Sequence, residues 1–237
     1  MDRQTAIYKQ WRHAFKLDPD REIDDDRLDA ICMSGTDAVI VGGSTGVTFD
    51  NTVDLMSRIR RYEVPCALEV SSEEAAVPGF DHYFVPLVLN TDRSEWTTGR
   101  QIGALRKFGA FIPWEETSAE GYLILNGDAE AAKLTGARSS LDAETVTAHL
   151  YMADRLMRLP IIYLEYSGVF GDMALVKRAA RLTTGARIFY GGGIDGPEKA
   201  RLAAEAAHTV IVGNVIYDDL AAALSTVAAV ANVPPVG

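Results

Sequence analysis

Residues 163–168 read Tyr-Leu-Glu-Tyr-Ser-Gly, and the apolar run Leu159-Pro160-Ile161-Ile162 feeds straight into them. A carboxylate at the end of such a run, held between two tyrosines, belongs inside a core or at its mouth. Burial there raises its pKa toward the range in which it can accept a proton. Glu165 could take the proton of a substrate hydroxyl or hold that hydroxyl in place; a buried ion pair with Lys16 is the competing reading. Two later apolar runs also stop in glycine, Ile188-Phe189-Tyr190-Gly191-Gly192-Gly193 and Val210-Ile211-Val212-Gly213-Asn214. Glycine lets backbone N–H groups approach a phosphate closely, and the start of a following helix adds a favourable field. Two such turns beside an acid point to an active site for a phosphorylated substrate.

A second group of polar residues ends the first apolar run, Phe15-Lys16-Leu17-Asp18-Pro19. Lys16 and Asp18 are two apart, so on a strand they share a side. Such a pair can hold a phosphate and ligate Mg2+ respectively, or can simply neutralise each other. Gly42-Gly43-Ser44-Thr45-Gly46 adds the Ser44 hydroxyl as a further hard ligand. Other motifs carry less. Asp25-Asp26-Arg27-Leu28-Asp29 matches the DDxxD pattern of all-helical prenyltransferases, but acidic residues opening a short amphipathic helix explain it better. His13, His82, His149 and His208 lack metal-ligand spacing. No GxGxxG dinucleotide fingerprint, GxSxG nucleophile elbow or Cys/His pairing is present.

The elements that must carry these residues follow a simple rhythm. Strand-length apolar runs fall near residues 13–18, 38–42, 65–70, 83–89, 121–126, 160–166, 187–192 and 209–213, mostly without alternation, as strands covered on both faces require. Helix-period stretches separate most of them, at 25–34, 51–62, 96–108, 143–157, 173–182, 197–206 and 217–229. Eight strands in 237 residues, each but the third followed by a helical stretch, predict one (β/α)8 (TIM) barrel domain over residues 1–237, with an open doubly wound sheet as the alternative. In such a barrel, active sites gather at the C-terminal ends of the strands and phosphate binds after strands seven and eight, where the glycine turns lie. The third interval is too short for a barrel helix. Between strands three and four, Pro78-Gly79 interrupts the segment and leaves at most a turn or two of helix at 72–76. A gap in the helical ring beside the mouth would let a long apolar ligand in. A net charge of -10 argues against nucleic acid as a partner. Cys32 and Cys66 read as reduced core residues. With no signal peptide and no run long enough to span a bilayer, a cytoplasmic protein is expected, with peripheral membrane contact at most. Only the tail at Pro234-Pro235 reads as loose.

FKLDP, TDAVIVGGS, VPGFD, YLEYSG, YGGGI and VGN, in this order and at these strand ends, resemble the geranylgeranylglyceryl phosphate synthase family, and most closely its bacterial heptaprenylglyceryl phosphate synthases of the PcrB type. The resemblance runs from about Trp11 to Ala229. It implies transfer of a prenyl group from a polyprenyl diphosphate to the sn-3 hydroxyl of sn-glycerol 1-phosphate. By this similarity Lys16, the run Tyr163, Leu164, Glu165, Tyr166, Ser167, Gly168, and Gly193, Gly213 and Asn214 bind glycerol 1-phosphate. Asp18 and Ser44 bind the Mg2+ that holds the diphosphate. In the mechanism expected from this, Lys16 fixes the acceptor, and Glu165 either only orients its hydroxyl or also receives its proton. The family barrel has a reduced third helix, and its members of this type are commonly homodimers.

Donor length turns on the helix after the fourth strand, where the resemblance places a tunnel-closing residue. A large aromatic there goes with a C20 donor. This chain has Ala104, which favours a longer, C35 chain. The alternatives are a C20-specific synthase, another phosphate-binding barrel such as a sugar-phosphate isomerase, or a catalytically silent barrel that binds lipid or phosphate.

Overall fold

The computed structural model describes residues 6–73 and 75–236. Eight parallel strands close into a barrel in sequence order: β1 His13–Leu17, β2 Ala38–Val41, β3 Cys66–Glu69, β4 His82–Val88, β5 Thr117–Ile124, β6 Ile161–Glu165, β7 Arg187–Gly191 and β8 Thr209–Val212. Pairing of His13 with Val210 and of Ala14 with Ala38 joins β1 to both neighbours and closes the ring. The open-sheet alternative is thereby excluded.

Period-two alternation splits the apolar residues into two cores. Ala14, Ile40, Ala67, Phe84, Ile161, Phe189 and Ile211 fill the barrel, with Tyr8 and Trp11 packed beneath them. Leu17, Val41, Leu68, Leu123, Leu164 and Val212 face outward against the helices. Those helices are α1 Asp25–Cys32, α2 Phe49–Ile59, α3 Arg100–Phe108, α4 Glu130–Thr135, α5 Ala143–Tyr151, α6 Met173–Leu182, α7 Pro197–Ala204, α8 Val215–Asp218 and α9 Leu220–Ala231. Asp24 caps α1 by accepting from the Arg27 N–H, so Asp25 and Asp26 sit in its first turn, the helix-start reading of that acidic run.

Several boundaries differ from the sequence expectation. The stretch at 96–108 opens with a wider π-type turn over Glu95–Gly99, and α5 ends in another over Met152–Leu156. The expected helix at 217–229 is two, because Asp219 is extended and its carboxylate caps α9 through the Ala222 N–H. Strand β5 begins four residues before the expected 121–126. Helix α4 was not expected at all. The turn of helix expected at 72–76 includes residue 74, outside the described residues; residues 70–73 and 75–81 carry no helix. The Pro234 tail is not loose, because the Arg12 guanidinium donates to the carbonyls of Val233 and Pro234. Cys32 and Cys66 are buried and free.

Candidate active site

A cavity of about 1530 Å³ opens at the C-terminal ends of the strands. Its floor is a polar cluster inside the barrel. From β1, the Lys16 ammonium donates to Glu69 Oε1 at 2.7 Å and to Tyr122 Oη at 3.1 Å. The Tyr122 hydroxyl donates in turn to the other Glu69 oxygen. Tyr122 stacks on Tyr163 with ring centroids 4.6 Å apart, and Lys16 lies 5.7 and 5.6 Å from the two centroids. Glu165 Oε1 accepts from the Ser167 N–H at 2.6 Å, so the chain's turn out of β6 holds the carboxylate. Below them Glu120 is fully buried, and its Oε2 has no hydrogen-bond partner.

One lysine thus faces three buried carboxylates, and the electrostatics follow. Burial pulls the Lys16 pKa down, but Glu69, Glu165 and Glu120 outweigh it and hold the ammonium charged. Burial pushes Glu165 up to about 7, against the opposing pull of Lys16 and the Ser167 N–H, with Glu69 adding to the rise. Burial, then the charge of Glu69, raises Glu120 well above a normal carboxyl despite Lys16, so it is held neutral. Tyr122 and Tyr163 are raised by burial and by the same carboxylates, and remain hydrogen-bond donors. The site therefore holds a fixed cation, a carboxylate poised near neutrality and two phenols.

The rim is built on glycine where nothing larger fits. A Cβ on Gly191 would lie 2.0 Å from Tyr163 Oη. Gly193 has φ +58° and would place a Cβ 2.2 Å from the Phe170 backbone nitrogen. Gly213 has no such neighbour, and its added Cβ would meet only the Lys16 carbonyl at 3.6 Å. Asn214 accepts from the Arg21 guanidinium, which stacks on Tyr217 with its carbon 3.6 Å from the ring centroid. Tyr217 Oη accepts from the Asp18 N–H at 3.0 Å and so ties α8 to the end of β1.

Asp18 and Ser44 both line the cavity. Gly43 presents a bare backbone to the Asp18 carboxylate, with an added Cβ only 2.4 Å from Oδ1. That brings a carboxylate beside the Ser44 turn. Among the described residues no group of three or more His, Cys, Asp or Glu could hold a metal. One carboxylate and one hydroxyl are a hard-oxygen set that fits Mg2+ when substrate phosphates and water complete its octahedron.

Of the residues singled out in the sequence, Lys16, Asp18, Ser44, Ala104, Tyr163, Glu165, Ser167, Gly168, Gly193, Gly213 and Asn214 line this one cavity. Leu164 and Tyr166 do not. Strand alternation turns Leu164 outward against the helices, and Tyr166 packs beside Tyr190. Lys16 pairs with Glu69 rather than with Glu165. Sequence reasoning missed Glu69, Glu120, Tyr122, Arg21 and Tyr217. Glu69 carried a readable signal, since Cys66-Ala67-Leu68 runs into it as Ile161–Leu164 runs into Glu165. Glu120 and Tyr122 are two apart on one strand face, but only the closed barrel brings them to Lys16.

Fold and site together define a (β/α)8 barrel with a glycine-rimmed polar centre at the C-terminal ends of its strands. The model of the PcrB family matches residues 6–231, and the chain belongs to that family. It is 56% identical over 223 residues to the heptaprenylglyceryl phosphate synthase of Brevibacillus brevis, covering 94% of this chain and 96% of that one. It is 54% identical to the heptaprenylglyceryl phosphate synthase of Geobacillus kaustophilus, over 94% and 93% of the two chains. In three dimensions it resembles the (S)-3-O-geranylgeranylglyceryl phosphate synthase of Thermoplasma acidophilum, solved in complex with sn-glycerol-1-phosphate. The TM-score is 0.84 at 21% identity, covering 95% of this chain and 96% of that one. That likeness speaks for the fold.

Proposed function

We propose that the protein transfers a heptaprenyl group from its diphosphate to the sn-3 hydroxyl of sn-glycerol 1-phosphate, giving an ether-lipid precursor and diphosphate. The observation that carries this reading is the join between two halves of one cavity. A glycine-rimmed polar centre holding Lys16 and Glu165 opens into a sector lined by Ala104, with no large side chain at that position to close it. Relatives more than 50% identical along most of the chain bear the same activity in their names.

In this mechanism the glycine turns at Gly193 and Gly213, with Asn214 and Lys16, hold the acceptor phosphate. They direct the free hydroxyl toward the donor's first carbon. The bond from that carbon to the diphosphate oxygen breaks, and its electron pair leaves with diphosphate. The hydroxyl oxygen supplies the new C–O bond, and its proton passes to Glu165. Tyr163 and the Ser167 N–H keep the Glu165 carboxylate aimed, and the buried cluster keeps water away. Asp18 and Ser44 would hold Mg2+, which neutralises charge on diphosphate when bound. Arg21, between Asp18 and Asn214, supplies a further cation at the rim. A homodimer belongs to the same proposal, and the exposed apolar residues Tyr151, Met152, Leu156 and Met157 offer a face for it.

The test is Glu165→Gln, assayed with sn-glycerol 1-phosphate, Mg2+ and C15, C20 and C35 donors. Turnover is expected to fall by about 10²- to 10⁴-fold while KM for the acceptor changes little. Equal losses in both, or none, would remove Glu165 from the chemistry. Because the acceptor form is the ionised one and its pKa is near 7, wild-type kcat should decline as pH falls below about 7. The Gln variant should lose that limb. No product with any donor would leave a silent binding barrel.

A further inference from the structure

Helix α3 covers the cavity and yet buries none of its own residues. Arg100, Gln101 and Ala104 face the cavity. The other side and the segment after it are apolar and open to solvent: Ile102, Leu105 and Phe108 at three-residue spacing, then Phe111 at 83% and Trp114 at 58% exposure. Exposed apolar side chains scattered singly need no explanation, but five within thirteen residues do. Helix α3 is itself basic, with Arg100, Arg106 and Lys107 and no acid, in a chain whose net charge is -10; Lys107 pairs with Glu73, and Glu115 and Glu116 follow Trp114.

We infer that the outer face of α3 and residues 109–114 dock the enzyme on an anionic lipid bilayer, with the open end of the cavity toward the membrane. The inference rests on the reading that the donor is a long prenyl diphosphate, since a C35 chain resides in bilayers rather than in water. An interfacial helix of this kind carries Trp, Phe and Leu on one side and Lys or Arg around them, and gains from both apolar burial and anionic lipid. The apolar face is continuous with the helix that roofs the tunnel. A lipid tail would thus pass from bilayer to cavity past Ala104 without crossing open water. A second copy of this chain fits the face less well. A two-fold interface would set Arg106 of one copy near that of the other, and like charges repel. Nine helical residues give a weak, reversible hold, which suits an enzyme that must release a lipid product.

The experiment compares the full chain with Ile102→Ser/Phe111→Ser/Trp114→Ser and, separately, with Arg106→Gln. None of these residues lines the cavity. Cosedimentation is measured with phosphatidylcholine vesicles, with and without phosphatidylglycerol, at low and high salt. The wild type is expected to pellet with the anionic vesicles and to be released by salt. The triple variant should bind about tenfold or more weakly, and Arg106→Gln should bind less tightly and with a shallower salt dependence. With a C15 donor in solution the triple variant should match the wild type, while its rate on C35 diphosphate embedded in vesicles falls. Vesicle binding equal to wild type, or C15 and C35 rates falling together, would overturn the inference. So would a change of oligomeric state in sedimentation, which would make the face a self-interface. Vesicle binding is read without turnover, so a failure of the synthase assay with every donor remains distinguishable from a failure to dock.

Discussion

The two halves of the cavity are built on opposite principles. Around β6, β7 and β8 there is no slack. Added Cβ atoms at Gly191, Gly192 and Gly193 would fall 2.0, 2.4 and 2.2 Å from Tyr163, Tyr166 and Phe170, and α6 and α7 bury Val176, Ala179, Ala180, Ala200, Ala203 and Ala204. Around β3, β4 and β5 the ring is thin. No helix follows β3 among the described residues, and α3 buries nothing. The crowded side holds groups whose positions must be fixed to a fraction of an ångström if a hydroxyl is to face a departing diphosphate. In the proposed reaction the thin side would face an apolar chain, for which shape matters more than any single polar contact, and whose length a few side chains can set.

The largest effect expected from this contrast is at Gly193. Its φ of +58° is strained for any other residue, and the obstructing atoms belong to the Phe170 and Val169 backbone, which cannot swing aside. Gly193→Ala should therefore cost about 3 kcal/mol of stability, roughly 6–12 °C in Tm for a chain of this size. Acceptor binding should be lost with it. Calorimetry together with KM for sn-glycerol 1-phosphate checks both. A variant with unchanged Tm and KM would show that the crowded side has slack after all.

A smaller effect, on selectivity rather than on folding, is expected from Ala104→Trp. The side chain faces the cavity from a helix that has room to shift, so the barrel should stay folded. The space for the far end of a long donor shrinks. Discrimination against C35 relative to C20 should rise by about 1–3 kcal/mol, roughly 5- to 150-fold in the ratio of kcat/KM. Loss of activity on both donors alike would mean that the thin side also positions the reacting groups.

The same contrast explains what could be read from the chain itself. The eight strands and the short third interval were legible, because strands covered on both faces are written as unbroken apolar runs and Pro78-Gly79 forbids a regular helix. Glu165 and the glycine turns were legible because each ends such a run. Glu69, Glu120 and Tyr122 were not, since their meaning depends on which strand faces are brought round to Lys16 by barrel closure, a contact between residues 53 and 106 positions apart. Leu164 was grouped with its motif, although alternation along β6 turns it away from the cavity. The two π-type turns and the break at Asp219 left no periodic signal, because a single-residue offset preserves the apolar pattern on either side.

The smallest effect is the sharpest comparison, since it uses one kind of substitution in both sectors. Gly103 lies inside α3 and does not line the cavity. A Cβ there would meet only Glu73 Oε1 at 3.0 Å, the end of a flexible side chain that already reaches toward Lys107. Alanine in place of a helix-interior glycine lowers the entropy lost on folding and gains about 0.5–1 kcal/mol where nothing obstructs it. Gly103→Ala should thus raise Tm by about 1–4 °C, opposite in sign to Gly193→Ala. Its kinetic effect should be confined to the donor: with C15 the rate should hold, and with C35 it should fall slightly if α3 must yield to admit the chain. Were Gly103→Ala to destabilise the protein as much as Gly193→Ala, α3 would have to be as tightly determined as the phosphate rim. The division between a fixed acceptor side and an adaptable donor side would then fail at its simplest test.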